Sequence, residues 1–158
     1  MAHLYISVYK RAIRWIEKKY MTPRYPEKNN IDGYKVFVPE SNGNGVIGEP
    51  LSSPVVGGPS ESTTPTFISI GNFDTEEEAL NLLKYLKTKT VRILLGILKK
   101  TQHNSAPTWA YIPVQDFSSK SDIDWSKPIS EIDLQLYAKY ALSSEDIAYI
   151  ETTAQPME

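Results

Sequence analysis

Apolar and polar positions alternate along residues 4–9 (LYISVY), which predicts a strand. Residues 12–16 (AIRWI) read either as its hairpin partner across Lys10-Arg11 or as the start of a helix running to Tyr20. The hairpin is favoured, because β-branched and aromatic residues are dense and no helix cap precedes them. After a polar loop with Pro23 and Pro26, the Asp32-Gly33 turn leads into a strand at 34–38 (YKVFV). Residues 41–66 differ in kind: nine of the 26 are Gly or Pro, and Val46, Ile47, Leu51, Val55 and Val56 punctuate them. No helix fits there. The apolar pairs predict short strands or anchors of a long ordered loop. Residues 66–71 (TFISIG) read as a buried strand. Thr75 and Glu78 have capping-box spacing, and Glu76, Glu77 and Glu78 place acid in a first helical turn. Ala79, Leu82, Leu83 and Leu86 recur at helical spacing, and so do Val91, Leu94, Leu95 and Leu98 of a second helix. A loop (TQHNSAP) and a strand (WAYIPV) follow. A third helix is expected over 129–141, and Ser143 with Asp146 caps a fourth.

The expected class is therefore α+β. A mixed or antiparallel sheet would be built from the N-terminal strands, 34–38, 67–71 and 108–114, with a packed helical pair on one face and a helical C-terminus. The 158 residues suit a single domain, 1–158, with the Gly/Pro-rich loop at 41–66. Composition narrows the chemistry. With no cysteine there is no thiolate nucleophile and no cysteine zinc site, and two histidines, His3 and His103, argue against a His-rich metal centre. No apolar run approaches the ~20 residues of a membrane span, so no membrane partner is expected and the expected location is cytoplasmic.

The net charge of −2 hides a partition. Residues 1–40 carry eight basic and four acidic groups; residues 41–80 carry none and six. Residues 81–105 carry six and none, and residues 106–158 carry three and nine. A stretch with six cations and no carboxylate is a local positive field of the kind a phosphate backbone responds to. Lys84, Lys87, Lys89, Arg92, Lys99 and Lys100 are the candidates for phosphate contact. Gln102, His103 and Asn104 follow them as candidates for base readout, since carboxamides pair with adenine in the major groove. The Gly/Pro loop is a second candidate groove element.

Other chemistry is missing. No phosphate-cradling glycine motif opens a helix. An adenine methyltransferase needs a glycine-rich cofactor loop and an Asn/Asp-Pro-Pro-aromatic tetrad, and neither is present. Glu17-Lys18-Lys19 lacks the upstream acid of a restriction-type nuclease. Asp116, Asp122, Asp124, Glu131 and Asp133 lack calcium-loop spacing and are expected at the surface or in helix caps.

The run FISIGNFDTEEEALNLLKYLKTKTVRILLGILKKTQHN, then TWAYIPVQDF, then DIDWSKPISEIDLQLYAKYALSSEDIAYIE, resembles the C-terminal region of type II restriction-modification adenine-N6 DNA methyltransferases, including fused restriction-methylase enzymes. YKVFVPESNGNG with the following loop is similar to the segment just upstream in those proteins. The likeness covers roughly residues 34–158. It implies a non-catalytic target-recognition domain that positions double-stranded DNA for base flipping by a neighbouring catalytic domain or subunit. S-adenosylmethionine would bind that catalytic domain, so no cofactor is expected in this chain and methyltransferase activity is not carried over to it. The competing expectation is a protein-interaction or structural module docking on a catalytic methyltransferase or nuclease subunit.

Overall fold

The structure is a computed structural model that describes residues 2–8, 10–20, 29–41, 43–99 and 106–157. Strands β1 (Ala2–Val8) and β2 (Lys10–Ile16) form the expected antiparallel hairpin, with Ala2 opposite Ile16 and Val8 opposite Lys10. Next come β3 (Tyr34–Pro39), β4 (Val55–Gly57), β5 (Glu61–Thr63) and β6 (Phe67–Phe73). The helices are α1 (Glu76–Lys87), α2 (Lys89–Leu98), the single turn α3 (Ala106–Trp109), α4 (Ile129–Lys139) and α5 (Ser144–Thr153). The class is α+β, as the pattern predicts.

The strands form two sheets, not one. In the first the order is β2-β1-β5, with β5 parallel to β1. In the second it is β4-β3-β6, antiparallel throughout. The expected strand at 108–114 is not formed. Thr108 and Trp109 end α3, and the Ile112 amide turns back to the Trp109 carbonyl at 3.0 Å. Pro113 has no amide to give a ladder, and its carbonyl accepts from the Tyr85 hydroxyl at 2.7 Å. The α3 turn, Pro113 and a side-chain donor on the Pro113 carbonyl thus defeat the alternating apolar pattern of this segment.

The central strand β3 is covered on both faces. Val36 and Val38 are fully buried beneath α1, within a core that includes Leu82, Leu86, Ile132 and Leu136. Phe37 points the other way and lies flat on Gly57, where a Cβ would fall 2.1 Å from the ring. Lys35 shares that face and is also fully buried. Its ammonium donates to the carbonyls of Gly58 (2.7 Å), Gly33 (2.9 Å) and Ile31 (3.3 Å). Burial pushes its pKa down to about 8, opposed by Glu61 and Asp32. The lysine holds the turn before β3 against the end of β4.

Helix starts follow local chemistry. Thr75 and Glu78 form a reciprocal capping box on α1, and Ser143 and Asp146 form one on α5. The start of α2 is completed from a distance. Thr88 Oγ1 accepts from the Val91 amide at 3.3 Å. The two preceding amides reach across to Asp133 on α4: Lys89 N to Oδ2 at 2.9 Å and Thr90 N to Oδ1 at 3.0 Å. Thr90 Oγ1 donates to Oδ1 at 2.7 Å. The first three orphan donors of α2 are therefore all satisfied, and a carboxylate sits at the positive helix pole.

The first part of the Gly/Pro segment, around residues 46–49, is a strap laid over α2, and the later part forms β4 and β5. The Gly48 carbonyl accepts from Arg92 Nη1 at 2.8 Å and from the Gln155 amide at 3.0 Å. Gly96 lets it approach: a Cβ there would be 2.7 Å from the Ile47 Cα. Gly48 itself has φ +75° and would set a Cβ 2.7 Å from the Ala154 Cα. A second apolar cluster of Ile93, Tyr137, Ile150 and Ala154, with Ile47, underlies this junction.

Candidate functional site

An open groove of about 1060 Å³ lies between α1 and the segment that leads into α4. One wall is α1, which presents Lys84 and Lys87. The other is the loop from Ser118 to Ile129 that leads into α4 and contributes Lys127. The loop has no regular structure, but its sequence stiffens it. Asp116 accepts from the Ser118 amide at 2.8 Å and Asp124 from the Ser126 amide at 3.0 Å. Ser118 Oγ accepts from Lys120 N at 3.2 Å and Ser121 Oγ from Ile123 N at 3.1 Å. Four side chains, each bonded to the backbone two residues on, fold 116–126 as linked turns. Ile123, Phe117 and Trp125 then plug the loop into the core; the Phe117 and Trp125 rings stack with centroids 5.2 Å apart.

This loop also decides how its carboxylates act. The bonds from Ser126 hold Asp124 below its usual carboxylate range, and those from Ser118 do the same for Asp116. Both stay ionised with their oxygens turned to the loop's own amides. Asp122 is matched by Lys139 at 2.8 Å. Lys84 Nζ donates to the Trp125 carbonyl at 2.6 Å, which ties α1 to the loop across the groove. Lys84, Lys87 and Lys127 thus line one concavity together with Ser118, Ser121 and Ser126 and with the carboxylates of Glu77, Asp122 and Asp124.

The other candidate cations fare differently. Arg92 is only 3% exposed. Its Nε donates to the Lys87 carbonyl at the end of α1 (3.1 Å) and its Nη1 to Gly48, so it joins two helices and the strap. Burial pushes its pKa down, opposed by Asp133. Lys99 pairs with Glu49 of the strap at 2.9 Å, its side chain 3% exposed. Both are corrections to the expected basic face: a loop about fifty residues away supplies their partners and removes them from the surface. Lys89 is half-buried and paired with Glu151. Glu151 also accepts from the Tyr137 hydroxyl at 2.8 Å. The Lys89 bond holds the Glu151 carboxylate below its usual range, while burial and Glu151 push the Tyr137 hydroxyl up. Lys100, Gln102, His103 and Asn104 lie outside the described residues.

A second cavity, about 520 Å³, opens between β6, α1 and residues 109–117. Phe73, Tyr85, Trp109 and Phe117 contribute its rings, and no charged residue lines it. Val114, at its edge, is 93% exposed.

Sequence reasoning missed Lys127, because it lies outside the cation-only stretch. The repeated Asp-x-Ser spacing at 116–118 and 124–126 is the signal that marks its loop as built. Among the described residues, no group of three His, Asp or Glu side chains is placed to hold a metal ion, and no helix is long and apolar enough to cross a membrane. The chain matches no protein-family model, no curated protein and no solved structure.

Proposed function

We propose that the chain is a cytoplasmic, non-catalytic DNA-recognition module of a bacterial type II restriction-modification enzyme. It would position duplex DNA for a methyltransferase or nuclease domain that binds S-adenosylmethionine elsewhere. The observation that carries this is the groove: Lys84, Lys87 and Lys127 line one open concavity with serine hydroxyls on a stiff loop, where Asp122 is engaged by Lys139 and Asp124 by Ser126. Ammonium groups and hydroxyls are the usual partners of phosphate oxygens, and such contacts set the register of a protein on the duplex. The ordered motifs over residues 34–158 support the same reading. Gln102, His103 and Asn104 are the proposed base readers.

The test is fluorescence anisotropy of the chain with labelled duplexes of different sequence across a salt series. Three phosphate contacts predict a log-log slope of about −2.7, roughly a 40-fold loss between 50 and 200 mM salt. The K84Q/K87Q/K127Q variant should weaken all duplexes about equally and flatten that slope. Binding that ignores salt, or a variant that binds as tightly as the parent, overturns the assignment.

The apolar cavity beside Val114 favours a second reading, docking on a catalytic subunit. Substituting Val114→Asp would then abolish capture of that subunit and leave duplex binding intact.

A further inference from the structure

The hairpin at the start of the chain lends no residue to the lining of either cavity. Between residues 10 and 19, β2 and the turn after it carry Lys10, Arg11, Arg14, Lys18 and Lys19 against a single carboxylate, Glu17. Glu17 is itself 2.7 Å from Lys19 Nζ. Exposed aromatic surface accompanies that charge: Trp15, within the stretch, is 60% exposed and Tyr20, just after it, 65%, and the Lys19 ammonium lies 4.9 Å from the Tyr20 ring centroid. Arg14 is exposed as well.

The attachment of the hairpin is as telling as its charge. β5 pairs with β1 only at His3, Leu4 and Tyr5. From Ile6 to Val8 and from Lys10 to Ala12, the two strands pair with each other and, among the described residues, with no third strand. The far half is therefore a two-stranded finger carrying Lys10 and Arg11. The three residues of each strand beyond β5 give it a length of roughly 10 Å. The major groove of B-form DNA, ~12 Å wide, admits a two-stranded β-ribbon, and its walls are rows of phosphates.

We propose that the β1–β2 ribbon is a DNA-contacting finger that enters the major groove, with Lys10, Arg11, Arg14, Lys18 and Lys19 supplying the cations that neutralise the flanking phosphates. This rests on the DNA-binding reading above and adds a contact element remote in sequence from the α1 groove. The exposed Trp15, on the same strand as Arg14, is the natural reporter, because Trp125 is buried and Trp109 half-buried.

The experiment uses the full chain and a fluorescein-labelled 20-base-pair duplex, with anisotropy read across a salt series. The K10E/R11E/R14E variant is checked first for unchanged far-ultraviolet circular dichroism. It should bind at least tenfold more weakly at 50 mM salt, with the slope reduced by about 2–3. Should that variant misfold, Arg14→Gln alone decides: the slope should fall by about 0.9, the value of one phosphate contact. Duplex should also change the tryptophan emission of the parent but not that of the Trp15→Phe variant. Parent chain that binds duplex, with folded ribbon variants that match it in affinity and slope, overturns the finger and leaves the groove assignment standing. Parent chain that fails to bind duplex overturns the DNA reading and the finger together. Binding of the parent to phosphatidylserine vesicles without binding to duplex would assign the ribbon to an anionic lipid surface instead, and so overturn it too.

Discussion

Replacing Asp133 should separate the hydrogen-bonding role of a buried carboxylate from its charge. Asp133 is 2% exposed and accepts from two backbone amides and one hydroxyl at the start of α2. In Asp133→Ala all three donors lose their acceptor. Lys89 is half-buried, so water can reach its amide, but Thr90 is buried. Two donors stranded at ~1–3 kcal/mol each, partly offset by removing a desolvated charge, give a loss of about 3–5 kcal/mol. For a domain of this size that is a fall in Tm on the order of 10 °C. Asp133→Asn keeps a carbonyl oxygen for both Thr90 bonds and loses only the one from Lys89, at a cost of about 1 kcal/mol. The pH dependence is the sharper discriminator. Burial, opposed by the Thr90 and Lys89 bonds, holds the folded-state pKa of Asp133 above its ordinary value. Between the unfolded value, about 4, and the raised folded value, the native state binds more protons than the unfolded state. Stability from this group therefore falls as pH rises through that window. The stability difference between parent and Asp133→Asn should favour the parent most at the acid end and shrink above it. Urea unfolding of both proteins from pH 4 to pH 7, read as the difference in unfolding free energy extrapolated to water, measures this. A difference that stays flat with pH, or an Asn variant as damaged as the Ala variant, refutes the argument.

Lys35 gives the opposite slope: its pKa falls to about 8 in the fold, so the unfolded chain binds the extra proton above that value. The parent should gain stability relative to Lys35→Met as pH rises from 8 to 10.5, in urea melts of the two proteins. Lys99→Met leaves Glu49 half-enclosed without its cation and should cost about 3 kcal/mol by thermal or urea unfolding, while leaving the salt slope of DNA binding unchanged. Gly96→Ala gains up to ~1 kcal/mol of helix propensity, yet its methyl would press on the Ile47 backbone. Net destabilisation, with faster hydrogen exchange at residues 44–50 in mass-spectrometric peptides, is the expected outcome, and a raised Tm would contradict it.

What could be read from the sequence is what neighbouring residues decide. The two capping boxes, the hairpin and the helical stripes of α1 and α2 involve partners within a few positions, and each stands where the pattern puts it. The fate of Arg92 and Lys99 could not be read that way. A helical wheel places both among the cations of one stretch, but Gly48 and Glu49 reach them from a loop over forty residues earlier. Asp133 was one of five acids expected at the surface or in helix caps; it does complete a helix start, but that of α2, more than forty residues earlier, which nothing local to α4 signals. At 108–114 the alternating pattern pointed to a strand, and the α3 turn and the backbone chemistry of Pro113 outweighed it. Of the site, Lys84 and Lys87 were legible as cations on α1. Their convergence with Lys127 was not, because it depends on where the 118–129 loop is pinned by Trp125.

The carbonyl of Gly48 joins residues 48, 92 and 155, drawn from about two thirds of the chain's length. Contacts between such distant positions carry a large loop-closure cost and form late when a protein folds. The strap can seat only after α2 has packed against α5, since its floor is made by both. Unfolding is expected to run the other way, beginning at the strap, with the Glu49–Lys99 pair parting before α2 and α5 separate.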